Sequence, residues 1–192
     1  MEAPVLTTAR LLLRPFGPDD APPVQELAGD WEVASTTASI PHPYPPGEAL
    51  RWIGTHARGV AEKRLLNLAI TLAGDGELVG AVGLQIEPSQ RRAELGYWIG
   101  RPYWGRGYAT GAAEALLGYA FEHLDLYRIH AHHMARNPAS GRVLEKIGMR
   151  HEGCLRQHFR RWERYEDLVL YGALRSERIQ DENDQATKRV SE

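Results

Sequence analysis

The chain has 192 residues, 43% hydrophobic and 25% charged, with a formal net charge of -2. That length suits one domain with an adequate core, and the slightly acidic balance argues against non-specific nucleic-acid binding as the main task. No basic leader precedes an apolar run, and no stretch approaches the roughly 18 apolar residues of a membrane helix. Cys154 is the sole cysteine, so the expectation is a cytoplasmic protein with no internal disulfide and no membrane partner.

Arg10 to Phe16 reads as a first strand, and Asp19 or Asp20 can cap a helix running to Gly29. The segment Ile40-Pro-His-Pro-Tyr-Pro-Pro46 is proline-dense and predicts an irregular loop within the harder stretch that begins at Trp31. Loops on a rigid scaffold often carry specificity, and His42 and Tyr44 would be the substrate-facing handles; a plain linker is the competing reading. Ala49, Leu50, Ile53, Ala57 and Val60 then repeat at helical spacing to about Lys63. Leu66, Leu68, Ile70 and Leu72 alternate with smaller or polar residues, and Gly74-Asp-Gly76 separates them from Leu78 to Ile86, which predicts a hairpin. Glu94 to Ile99 extends it into a meander.

That third strand, Glu94-Leu-Gly-Tyr-Trp-Ile-Gly100, leads into Arg101-Pro-Tyr-Trp-Gly-Arg-Gly-Tyr-Ala-Thr110. From Ala109 the apolar positions Ala112, Ala113, Leu116, Leu117, Ala120, Phe121 and Leu124 mark one helix face. A helix therefore starts on a glycine-rich turn. Its first amides lack internal partners and carry partial positive charge, so Gly105 to Thr110 form a candidate phosphate cradle with Arg101 or Arg106 at the rim; an ordinary strand-to-helix turn is the alternative. No Gly-Lys-Ser/Thr follows as a nucleotide P-loop needs. The glycine after Gly107 is Gly111, one residue too far for a dinucleotide fingerprint, and Asp125 precedes the next strand where that fingerprint puts its acid after it.

Tyr127 to Met134 reads as a strand with His130 and His132 on one face and His133 on the other. No acid or cysteine lies at ligand spacing, so no metal is expected and the histidines read as ordinary strand residues. Asn137 before Pro138 is a strong helix start, Gly148 closes that helix, and Ser140, Leu144 and Ile147 share a face. Met149 to His158 and Arg164 to Leu174 are two more strands. The connection between them, Phe159-Arg-Arg-Trp-Glu163, suits an acceptor-side wall, a plain hairpin or, with weaker support, a nucleic-acid stacking platform. The expected organisation is one domain over 1–175 and a polar tail over 176–192.

Trp104-Gly-Arg-Gly-Tyr-Ala109, preceded by Glu94-Leu-Gly-Tyr-Trp-Ile99 and followed by Asn137-Pro-Ala-Ser-Gly-Arg-Val-Leu-Glu-Lys-Ile-Gly-Met149, resembles the GCN5-related N-acetyltransferase (GNAT) superfamily. Within it the pattern is most similar to the RimJ/RimL type, named for enzymes that acetylate ribosomal-protein N-termini. The likeness runs from Leu6 to about Leu174. Gly107 and Ala109 fit the superfamily loop pattern, whereas Trp104 stands where Gln or Arg is usual, a replacement associated with this subgroup.

The resemblance implies an α+β fold: a mixed, mostly antiparallel twisted sheet of about seven strands flanked by about four helices. It implies acetyl-CoA as co-substrate and a primary amine, a protein N-terminus or a small molecule, as acceptor. Cofactor contacts would come from Trp98, Ile99, Trp104, Gly105, Arg106, Gly107, Tyr108, Ala109, Thr110, Asn137 and Ser140, and Tyr97 would join His42 and Tyr44 at the acceptor. Attack is expected to be direct, because no nucleophile and base pair stands out. A backbone N–H near Trp98 or Ile99 would stabilise the oxyanion, and Glu94 would act as base, directly or through water. Many relatives place an acidic Tyr where this chain has Leu144, so Ser140 is the substitute for that role. The resemblance leaves open a CoA-binding module that has lost catalysis, and an RNA- or ribosome-binding protein using Arg160, Arg161 and Trp162. A homodimer is compatible with the chain.

Overall fold

The computed structural model describes residues 2–178; the polar tail expected from Ser176 therefore lies outside the described residues from 179 onward. In chain order the elements are β1 (Leu6–Thr7), β2 (Leu11–Arg14), α1 (Ala21–Gly29), α2 (Trp31–Ala34), α3 (Glu48–Gly54), α4 (His56–Ala61), β3 (Leu65–Leu72), β4 (Leu78–Glu87) and β5 (Arg92–Ile99). They continue as α5 (Tyr108–His123), β6 (Arg128–Met134), α6 (Pro138–Lys146), β7 (Arg150–Arg161) and β8 (Arg164–Leu174). The strands form one sheet in the order β1-β2-β3-β4-β5-β6-β8-β7. Every pairing is antiparallel except β5 with β6.

Several boundaries depart from the sequence reading for local reasons. The strand expected over Arg10 to Phe16 is β2, which stops at Arg14 because Pro15 has no N–H to give a ladder. Asp20 stands ahead of α1 without capping it; its carboxylate instead accepts from Arg14 at 2.7 and 2.8 Å and from the Gly17 N–H. Ahead of the proline-dense loop, the stretch that begins at Trp31 opens with the single turn α2, capped by Asp30 accepting from the Glu32 N–H. The helix expected to reach Lys63 breaks at Thr55 into α3 and α4. At the other end of the chain, β7 absorbs register shifts between His151 and Gly153 and between Leu155 and Phe159, then runs on to Arg161. Phe159–Arg161 is thus strand, and the connection is only Trp162-Glu163.

The strand period decides the layers. Leu66, Leu68 and Ile70 of β3 join Leu84, Leu95 and Ile129 in a core closed by Ala112, Ala113, Leu116 and Leu117 of α5 and Leu144 of α6. The opposite face carries Ala69 and Leu78, covered by Val24 and Ala28 of α1 and Ala49 of α3, with Trp98 packed at the margin. Among the described residues no helix is long and apolar enough to cross a membrane.

Candidate functional site

The parallel pair sets the site. β5 follows β4 along its whole length, yet it pairs with β6 only at Arg92, Ala93 and Glu94. Beyond Glu94 the two strands part while β6 stays on β8 as far as Met134. The Gly100 N–H donates to the Val79 carbonyl at 2.8 Å, so ladder alternation turns the backbone groups of Trp98 toward β4 and those of Tyr97 and Ile99 into the split. Of the two amides singled out from sequence, the one at Ile99 faces the opening. The Trp98 side chain packs toward α1. Trp104 folds back on the strand end, its indole donating to the Ile99 carbonyl at 2.6 Å.

One mouth of the split is the glycine turn. Gly105 and Gly107 have φ of +75° and +79°, a region costly for side-chain-bearing residues. The first bond of α5 runs from the Gly111 N–H to the Gly107 carbonyl, and the amides of Gly105, Arg106, Gly107, Tyr108, Ala109 and Thr110 have no backbone partner among the described residues. Two cations flank them. Arg106 lies 5.9 Å from the Tyr103 ring, whose hydroxyl donates to Glu77. Arg10, just ahead of β2, lies over the Tyr108 ring at 5.2 Å, and its Nη2 is 3.2 Å from where a Cβ on Gly107 would stand. Sequence reasoning missed Arg10, which no local pattern connects to a loop so far along the chain.

The split is bridged at α6. The Tyr97 hydroxyl donates to the Ser140 carbonyl at 3.0 Å and lies 2.8 Å from Ser140 Oγ. Burial pushes the phenol up to about 12. Asn137 caps α6, its Oδ1 accepting from the Ser140 N–H, so cap and bridge meet on one residue. Alternation along β5 puts Tyr97 on the α5 and α6 side of the strand and Glu94 on the other. Leu144 is fully buried.

Glu94 occupies the other face, at the point where β6 departs. Its Oε1 lies 3.4 Å from His132 Nδ1 and its Oε2 3.8 Å from His130 Nε2. Burial holds the His130 ring below the ordinary imidazole value, against the opposing pull of Glu94. His133 is buried on the opposite face, its Nδ1 2.8 Å from the Met134 carbonyl. On the Glu94 side the proline-rich loop is strapped down. His42 Nδ1 is 3.1 Å from the Gly29 carbonyl and its ring abuts Trp31. Tyr44 packs against the α1 cluster. Arg161 donates to the Ile40 carbonyl, Arg136 donates to Ser35 and pairs with Glu166, and Trp31 stacks 4.8 Å from Trp162. Two of the three residues suggested as a nucleic-acid platform, Arg161 and Trp162, are thus engaged within the chain, and Arg160 lies 3.4 Å from Glu163. A shallow groove of about 430 Å³ between α1 and α3, lined by residues such as Gln25 and Leu50, contains none of the candidate residues. Among the described residues no His, Cys, Asp or Glu group is arranged to hold a metal ion.

Residues 10–150 match the family model described as acetyltransferase (GNAT) domain. An N-acetyltransferase of Bacillus subtilis, YoaA, itself uncharacterised, is 33% identical over 81% of this chain and 88% of its own length. The ribosomal-protein-serine acetyltransferase of Escherichia coli is 30% identical over 62% of this chain and 64% of its own. RimL, a ribosomal L7/L12 alpha-N-protein acetyltransferase solved with coenzyme A, superposes with a TM-score of 0.81 over 89% of this chain and 98% of its own; at 19% identity that likeness shows the fold.

Proposed function

The chain belongs to the GNAT family of N-acetyltransferases, and from that premise we propose that it moves an acetyl group from acetyl-CoA to a primary amine by direct attack within a ternary complex. The observation that carries the reading is the split between β5 and β6, with amides that have no backbone partner among the described residues at one mouth and the Glu94 carboxylate at the other. The two substrates would enter from opposite sides and meet where the strands part.

The residues fit acetyl-CoA at its charged end. Six successive amides from Gly105 to Thr110, at the start of a 16-residue helix and flanked by Arg10 and Arg106, suit a pyrophosphate. Asn137 and Ser140 would line the cofactor arm. The Ile99 N–H would meet the thioester oxygen as it gains negative charge. The neutral acceptor nitrogen attacks the carbonyl carbon, the carbon–sulfur bond breaks as the new amide forms, and the second nitrogen proton would pass through solvent to the departing sulfur, so that coenzyme A leaves as the thiol. Glu94 takes the ammonium proton, since only the neutral amine attacks. On the other side of β5 the departing sulfur would meet the Tyr97 and Ser140 hydroxyls. A phenol held near 12 is a weak acid, so its part is a hydrogen bond to the thiolate rather than full proton transfer. His42 and Tyr44 would contact the acceptor, a peptide N-terminus or a small amine.

Calorimetric titration with acetyl-CoA, NAD and ATP, repeated on Gly107→Trp, tests the cofactor half of this reading. Selective binding of acetyl-CoA that disappears in the variant is the expected result. Equal indifference to all three ligands would reduce the glycine turn to a turn.

A further inference from the structure

We propose that the proton removed from the acceptor ammonium leaves through His132, which works with Glu94 as a two-residue relay at the acceptor mouth of the split. The inference rests on the acetyl-transfer reading above and assigns a role to a histidine that the sequence alone leaves as an ordinary strand residue.

The geometry comes from the way β6 departs. Glu94 and His130 are register partners at the last paired position of the parallel ladder, and His132 is the next residue of β6 on the same face. Both carboxylate oxygens therefore look at imidazole nitrogens, at 3.4 Å to His132 and 3.8 Å to His130. All three side chains are between 26% and 39% exposed, so the cluster borders water without dissolving into it. As classes, alkylammonium groups titrate near 10 and carboxylates near 4, so a proton handed to a carboxylate returns unless something takes it onward. An imidazole titrates close to neutrality and can both hold that proton and give it to water.

His132 suits the second step better than His130. The Nδ1 of His130 is buried with no partner among the described residues, which closes its far side, and the ring is disfavoured as a cation by burial and by Arg128 and Arg92. Those arginines are themselves paired, Arg128 with Glu152 and Arg92 with Glu87. The flanking strands add no further charge: Leu170 on β8 faces His132, Gly172 faces His130, and Gln85 on β4 faces Glu94. The steps balance. An ammonium N–H bond breaks as an O–H bond forms on Glu94, and the neutral amine attacks. The O–H bond then breaks as Nδ1–H forms on His132, the imidazolium releases its Nε2 proton to water, and exchange with water moves the remaining proton from Nδ1 back to Nε2 before the next turnover.

The full chain, labelled with nitrogen-15, would be titrated from pH 5 to 9 while the ring nitrogens are followed by NMR, as wild type and as Glu94→Gln. Loss of the carboxylate is expected to move the His132 Nδ1 resonance, because the contact at 3.4 Å is gone. Acetyl transfer from acetyl-CoA to a serine-starting hexapeptide and to spermidine would be measured in parallel. His132→Gln is expected to lower kcat about 10-fold to 100-fold, to leave the KM for acetyl-CoA in place and to displace the acidic limb of the pH profile. Transfer to hydroxylamine, already neutral at pH 7, should change little. His132→Asn can still hydrogen-bond Glu94 but cannot carry the proton, so full activity in that variant overturns the relay, as does a His132 Nδ1 resonance indifferent to Glu94→Gln. Acetyl-CoA binding by calorimetry separates the failures: intact binding with an indifferent His132 sinks the relay alone. If the wild type acetylates neither probe, the acceptor reading falls and takes the relay with it.

Discussion

Deleting the Tyr97 hydroxyl probes the bridge across the split most directly. In Tyr97→Phe the Ser140 carbonyl loses a donor at 3.0 Å and Ser140 Oγ loses a partner at 2.8 Å, both in a site where Tyr97 is largely withdrawn from water. A net hydrogen bond contributes about 0.5–1.5 kcal/mol, so two give a loss of about 2 kcal/mol, or roughly 4–8 °C in Tm for a domain of this size. Ser140→Ala breaks only one of the two and should cost about 1 kcal/mol. Once the phenol is gone the serine hydroxyl has little left to lose. The double variant should therefore resemble Tyr97→Phe alone, which corresponds to a coupling energy of about 1 kcal/mol, well outside the roughly 0.3–0.5 kcal/mol expected of independent sites. Urea unfolding of the four proteins measures the cycle. Strict additivity would refute the reasoning, because it would mean that the two hydroxyls do not meet in solution.

Other outcomes follow from single contacts. Arg10→Ala should weaken acetyl-CoA binding several-fold at low salt and by less at high salt, since an exposed cation acts on phosphate through a screened field; calorimetry at two ionic strengths reads both. His56 is buried among Phe16 and Trp52 and pushed down to about 4 by that burial, so the unfolded chain binds its proton first. The stability this confers is present above about 6.5 and is lost as pH falls toward 4, up to about 3 kcal/mol; urea midpoints of His56→Phe should lack that part of the acid loss. Leu144→Tyr should destabilise the fold by about 1–3 kcal/mol through overpacking of a fully buried position and leave turnover no faster, as thermal melts and kcat would show.

Much of this fold is legible in local chemistry. The period-two run of β3, the Gly74-Asp-Gly76 turn, the helix that follows Gly107 and the Asn137 cap each follow from backbone preferences that act within a few residues. What escapes a local reading depends on distant partners. Nothing near Thr55 announces the break between α3 and α4, and the bulges that carry β7 to Arg161 answer to β8, with the Gln157 N–H held by Asp167. Arg10 reaches the glycine turn only because β2 ends up beside the start of α5. The approach of Glu94 to His130 and His132 depends on a parallel register set by a helical crossover, so the histidines look like ordinary strand residues until β6 is laid against β5.

Alternation along β5 gives the proposed chemistry its direction. Glu94 and Trp98 project to one face, Tyr97 and Ile99 to the other, so proton removal and thiolate departure lie on opposite sides of one strand and the reacting atoms must pass through the sheet where β6 is missing. Among the described residues the vacated ladder leaves the Tyr97 and Ile99 amides without a strand partner, while the Trp98 amide is committed to β4. An extended substrate arm lying in the split would act as a short surrogate strand and satisfy them. Acetyl-CoA should therefore slow hydrogen exchange at Tyr97 and Ile99 beyond its general effect on stability, which amounts to about 2.7 kcal/mol at a hundredfold excess over Kd. Trp98, already bonded in the free protein, should change only by that general amount. Equal protection of all three amides would mean that the arm does not pair with β5, and the oxyanion role proposed for Ile99 would lose its geometric basis.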